Sequence, residues 1–132
     1  MRGASATEKL LAGHAQQPLR VLVVWEPILA TDWKSPSSTN LGRIADQRAR
    51  QFWDPHHLVA TALTDALKHG TLQSRPNCCF NKGFYWDNAI LYAAGEHWEN
   101  AATPAFWDGP VYRIISPLEK ALTLSRWHLA QS

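Results

Sequence analysis

The sequence predicts an α/β domain on a four-stranded mixed sheet flanked by helices, in the order α-β-α-β-α-β-β-α. Three observations predict it. Two apolar runs, residues 19–25 and 48–53, are separated by a helix-competent stretch, an order that pairs strands in parallel. An amphipathic stripe closed by Gly70 follows the second run. Two further runs, residues 88–94 and 111–115, have no helix between them and are most simply antiparallel.

Each element has its own signal. Ser5, Ala6, Thr7 and Glu8 have capping-box spacing, and Gly13 ends a short helix after Leu10 and Leu11. Residues 16–18 read as a linker, so residues 1–18 form an N-terminal extension of one domain spanning 1–132. Residues 19–25 are nearly all β-branched or apolar, as in a central strand buried on both faces, and Glu26-Pro27 stops them. Residues 32–39 hold Pro36 and Ser37-Ser38-Thr39 and form a loop. Thr39 then caps a short helix through Leu41, Ile44 and Ala45, weakened by Gly42.

Residues 48–53 alternate up to Phe52-Trp53 and form the second strand. Asp54-Pro55 combines an N-cap with proline at the first helical position. Leu58, Val59, Ala62, Leu63, Ala66 and Leu67 then make one apolar stripe. Residues 71–83 are irregular, residues 88–94 are a third strand and residues 95–110 a long loop. Val111-Tyr112-Arg113-Ile114-Ile115 has clear β propensity and reads as the fourth strand. Ser116-Pro117-Leu118-Glu119 caps a C-terminal helix with Leu118, Ala121, Leu122 and Leu129 on its inner side.

The whole chain excludes several classes. At 132 residues it fits one core that needs no staples. Net charge is +2 with scattered basic residues, which gives no electrostatic case for nucleic acid. No apolar run approaches the roughly 20 residues of a membrane helix, and the N-terminus lacks a signal-peptide core. A cytoplasmic location is the default expectation.

Five tryptophans are followed directly by a carboxylate: Trp25-Glu26, Trp53-Asp54, Trp86-Asp87, Trp98-Glu99 and Trp107-Asp108. In the expected sheet the first three pairs meet at one edge, where ligands of open α/β sheets bind. Trp25, Glu26, Trp53, Trp86 and Asp87 are therefore the candidate ligand-binding residues. Indoles supply apolar walls and a donor, and the acids supply a few placed polar groups. Glu26 and Asp87 either act as an acid–base pair or bond backbone groups at strand ends. Asp54 has the simpler role of an N-cap. His56 and His57 open the helix and with Asp54 and Glu26 have the ligand types of a zinc or iron site, but neighbours on a helix point about 100° apart, so no metal site is assigned.

Cys78 and Cys79 are the two cysteines, and they are adjacent. Neighbouring Cα atoms sit about 3.8 Å apart, closer than an ordinary disulfide prefers, so no stabilising staple is expected. They are candidate reactive thiols, able to bind thiophilic ions or to form an easily reduced ring. The plainer reading has one of them packing inward as a small hydrophobe.

Residues 23–29 (VVWEPIL), 51–55 (QFWDP) and 86–92 (WDNAILY) resemble segments of a group of bacterial thioredoxin-like proteins, over roughly residues 20 to 100. The predicted element order is also that of the thioredoxin fold. Redox-active members of that group carry a Cys-x-x-Cys or related pair before the first strand, whereas residues 1–19 here hold no cysteine. The loop after the first strand, Glu26-Pro27-Ile28-Leu29, holds none either. The resemblance thus implies a thioredoxin-like domain lacking the CxxC motif and needing no cofactor. The expected function is a non-redox binding or interaction module for a small molecule or a protein, with homo-oligomers compatible with the sequence. The competing expectation is a thiol-dependent oxidoreductase or thiophilic-metal detoxification protein using Cys78 and Cys79. A third is a metal-dependent hydrolase at the carboxylate edge.

Overall fold

The structure is a computed structural model that describes residues 2–70, 72, 75–76, 78–98 and 102–130, the last five by backbone alone. The elements are α1 (Arg2–Gly13), β1 (Val21–Trp25), α2 (Ser38–Leu41), β2 (Ala49–Trp53), α3 (Leu58–Lys68), β3 (Ala89–Leu91), β4 (Phe106–Asp108) and α4 (Ile115–Ala130). A 3-10 turn, Val111–Arg113, precedes α4.

The strands form two separate two-stranded sheets, which corrects the expected four-stranded mixed sheet of thioredoxin-like order. β1 and β2 are parallel, with Val21 opposite Ala49 and Trp25 opposite Trp53. β3 and β4 are antiparallel, with Ala89 opposite Asp108 and Leu91 opposite Phe106. The reason lies in where apolar burial falls. Ala89, Leu91 and Phe106 pack on a cluster of Leu10, Ile114, Leu118 and Leu122. Ile90 and Trp107 face the other way, onto Ala60, Leu63, Leu72 and Tyr85. Side chains alternate across a strand, so this hairpin is the buried middle layer between α1/α4 and α3. No residue of β1 or β2 belongs to either cluster. Leu22 is 60% exposed, so the run at 19–25 is not a strand buried on both faces.

The fourth strand also moves. Residues 111–115 wind into the 3-10 turn and the start of α4. Pro110 enters with φ −66°, Arg113 N–H donates to Pro110 O (2.9 Å), and Ile114 N–H donates to Val111 O (3.2 Å). Burying Ile114 between α1 and α4 outweighs its β propensity. The chain is already helical at Ile115, so Ser116 lies inside the first turn instead of capping it. Pro117 is tolerated there because first-turn N–H groups lack helical partners. Leu118 and Leu122 are buried as expected, while the side chain of Leu129 lies outside the described residues. In α3 the inner stripe carries Ala60 and Leu63, and Leu58 is 68% exposed.

Polar links hold the β1–β2 pair. The Arg48 guanidinium donates to the carbonyls of Leu11 (2.8 Å), His14 (2.7 Å) and Gln17 (2.9 Å) at the end of α1. Asp46 orients it through Oδ1 (2.9 Å) and Oδ2 (2.6 Å). Glu8 does not complete a capping box. Its carboxylate accepts the N–H groups of Ala45 (3.1 Å) and Asp46 (3.3 Å). Gln51 donates to the carbonyls of Leu41 and Ile44, which ties β2 to the chain after α2.

Arg48→Ala should cost about 2 kcal/mol, the scale of lost hydrogen bonds from a charged donor. Urea unfolding measures it, and a loss below about 0.5 kcal/mol would reduce Arg48 to an ordinary exposed ion pair. Hydrogen bonds from Arg48 hold the Asp46 carboxyl down at about 2, below its ordinary 3.8. The folded state therefore favours the ionised form. That contribution is present above pH 3.8 and is lost as pH falls through about 2. The stability difference between wild type and Asp46→Ala should accordingly shrink on acidification, as followed by circular dichroism.

Candidate functional site

Two parallel strands in register release their chains at the same end. Asp54 N–H donates to Trp25 O (2.8 Å), which carries the ladder one residue past the strands. Glu26 and Asp54 thus leave β1 and β2 side by side. The helix after β2 begins at Leu58, three residues later than Asp54-Pro55 predicts. Asp54 still caps it, because its Oδ2 reaches the N–H of Val59 (3.0 Å). His57 fills the gap in a left-handed conformation (φ 54°, ψ 39°). Histidine enters that region more readily than most residues, but at some cost in strain.

That conformation accompanies a ring placed beside Glu26. His57 Nδ1 lies 3.0 Å from Glu26 Oε2. On its face the ring stacks on Phe84, with centroids 3.8 Å apart and planes at 29°. Burial pushes the Glu26 carboxyl above its ordinary value, and the neighbouring Asp54 adds to this. The hydrogen bond and charge of His57 pull it back without fully compensating. For Asp54, 7% exposed, burial pushes upward, but backbone N–H groups of Leu58, Val59 and His56 outweigh it and leave the carboxyl below its ordinary value. Its Oδ1 is buried without a protein partner among the described residues. The arrangement can accept hydrogen bonds and hold a positive charge.

The other predicted residues divide between this edge and elsewhere. Trp25 and Trp53 are half-buried neighbours in the β1–β2 register, and Trp25 Nε1–H donates to Gln51 Oε1 (2.9 Å). Trp86 belongs to another loop. Its Nε1–H donates to Asn81 Oδ1 (2.9 Å), and Lys82 lies over its ring. Asp87 does not bond Glu26. Its Oδ1 accepts from Val111 N–H (3.2 Å) and faces Gly3 of α1. His57 and Phe84 complete the edge. Sequence reasoning grouped His57 with Glu26 and Asp54 only as possible metal ligands, and it offers no signal for Phe84.

Cys78 and Cys79 are joined to each other in a disulfide. The bond closes no length of chain between distant residues, so it supplies no cross-link of the usual stabilising kind. Cys79 is left-handed (φ 71°). Among the described residues no group of three or more His, Cys, Asp and Glu side chains is placed to hold a metal ion, and no helix is long and apolar enough to cross a membrane. An apolar cavity of about 60 Å³ lies between Leu63 and Ala66 of α3, Leu72, Tyr92 and Trp98. It is well below the roughly 300–1,000 Å³ of small-molecule sites. No family model matches the chain, and neither does any curated protein or solved structure.

Gly109 tests the packing around this second loop. A Cβ there would stand 2.5 Å from Asp87 O and from Asn88 Nδ2. Backbone cannot yield cheaply, so Gly109→Ala should destabilise by about 1–3 kcal/mol, measured by thermal or urea unfolding. A neutral result would show that β3 and the chain after β4 are less closely packed.

Proposed function

We propose that the chain is an interaction module that receives a basic side chain of a partner at the carboxyl end of β1 and β2. The observation that carries this is the contact between Glu26 Oε2 and His57 Nδ1 (3.0 Å), with Asp54 as a second acid near Glu26. Glu26 and Asp54 are both acids, and their carboxyl oxygens accept hydrogen bonds. Leu58, next to His57, and Leu29, three residues past Glu26, are largely exposed and supply apolar rims for an aliphatic stem. The cavity beside α3 is too small for a typical metabolite and is not lined by Glu26 or His57, so the reading is of a partner's side chain meeting this edge.

Tetralysine and tetraglutamate peptides are suitable probes, followed by amide chemical shifts. Tetralysine should perturb Glu26, His57 and Leu58, with an affinity that falls as salt rises. Glu26→Gln should weaken binding at least about tenfold, the equivalent of 1.4 kcal/mol. Equal responses to both peptides, or full binding by Glu26→Gln, would refute the assignment.

A further inference from the structure

The disulfide at Cys78–Cys79 sits at the root of the loop that supports His57. Cys79 O accepts the N–H of Trp86 (3.1 Å), so residues 79–86 form a loop closed at its base. Its aromatic residues reach in two directions. Phe80 packs on Tyr85 (4.6 Å) and Tyr85 on Trp107 of β4 (5.0 Å). Phe84 is the ring beneath His57 (3.8 Å).

Gly109 is buried, and Cys79 Sγ lies 3.3 Å from where a Cβ on it would stand. Asp87 O and Asn88 Nδ2 occupy the same side. Breaking a disulfide turns two atoms held at about 2 Å into non-bonded neighbours that need roughly 3.5–4 Å. Cys79 begins the loop closed by Trp86, so a separation of the sulfurs is passed on to residues 79–86. Both cysteines are half-buried, which leaves a path for a small thiol.

We propose that Cys78–Cys79 is a reversible two-electron redox site whose state sets the position of Phe84 beneath His57. The site thereby regulates the edge assigned above, and for its functional meaning it rests on that reading. In the reducing direction a thiolate of a dithiol attacks one sulfur. The Cys78–Cys79 bond breaks, a mixed disulfide forms, and the other cysteine leaves as a thiolate that takes up a proton. The second thiol of the reductant then displaces the first cysteine. The dithiol ends as a cyclic disulfide, and the protein ends with two thiols. A disulfide of the same class reverses both steps. The pair changes once per cycle as a switch, with no bound substrate to turn over.

The test uses the full chain with dithiothreitol as reductant. Air-oxidised protein, denatured in N-ethylmaleimide, should show no adduct by mass spectrometry, and reduced protein should show two. Reduction should shift the His57 ring resonances, with no partner present. A Cys78→Ser/Cys79→Ser double variant should show the same His57 resonances with and without reductant. Two adducts before reduction, a disulfide between chains, or unmoved His57 resonances after two thiols appear would overturn the proposal. The tetralysine titration of oxidised protein tests the edge separately, so either idea can fail alone.

Discussion

Arg48 stands one residue before β2, and its guanidinium ends α1. The last carbonyls of a helix have no partner within it and carry the negative end of its dipole. Arg48 donates to the carbonyl of Leu11 near the end of α1 and to those of His14 and Gln17 just beyond it, each of which also accepts one backbone N–H, from His14, Gln17 and Leu19. Asp46 holds the guanidinium in place, and Glu8 returns from α1 to hold the backbone of Ala45 and Asp46. As a partly exposed ion pair, Asp46–Arg48 would count for little. Its weight comes from the three charge-assisted hydrogen bonds that Arg48 adds to backbone carbonyls. Two consequences follow. Leu10 and Leu11 are set into the core, and the β1–β2 register begins where Val21 N–H meets Arg48 O (3.1 Å). Everything at the far end of those strands inherits that register.

The edge is a compromise among local demands. Asp54 serves the helix through one oxygen, and the other is buried with no partner among the described residues. Glu26 is hydrogen-bonded to His57, yet burial still dominates its titration. His57 stands in a left-handed conformation between a strand and a helix. Strained non-glycine residues and half-satisfied carboxylates concentrate where a chain binds something, because packing elsewhere can support them. Phe84 connects this edge to the buried layer, since it packs with the cluster of Ala60, Leu63, Leu72 and Tyr85.

Two small sheets replace one large one because this domain's apolar burial centres on three-residue strands. β3 and β4 give each face of their hairpin a helix layer and are filled by alternation alone. The parallel pair has one side tied to the chain around α2 through Gln51, and exposes Leu22 and Phe52. Parallel strands usually have both faces covered. The β1–β2 pair is thus the part of the fold held most by polar contacts.

Local chemistry alone determined a good deal. The α3 helix with Leu63 on its inner face, the helix ending at Gly13, the turn that Asp54 caps and the parallel pairing of β1 with β2 all follow from contacts within a few residues or from one crossover. The same reasoning brought Trp25, Glu26 and Trp53 to one end of the pair. Tertiary packing decided the rest. It wound Val111–Arg113 into a turn against its β propensity because Ile114 had a core to enter. It made a strand of Phe106–Asp108, which reads as loop, because Phe106 and Trp107 each had a face to fill. It sent Asp87 to Val111 and brought His57 and Phe84 to Glu26. Such meetings join residues far apart in the chain, and their free energy depends on burial and hydrogen-bond partners that no local pattern encodes.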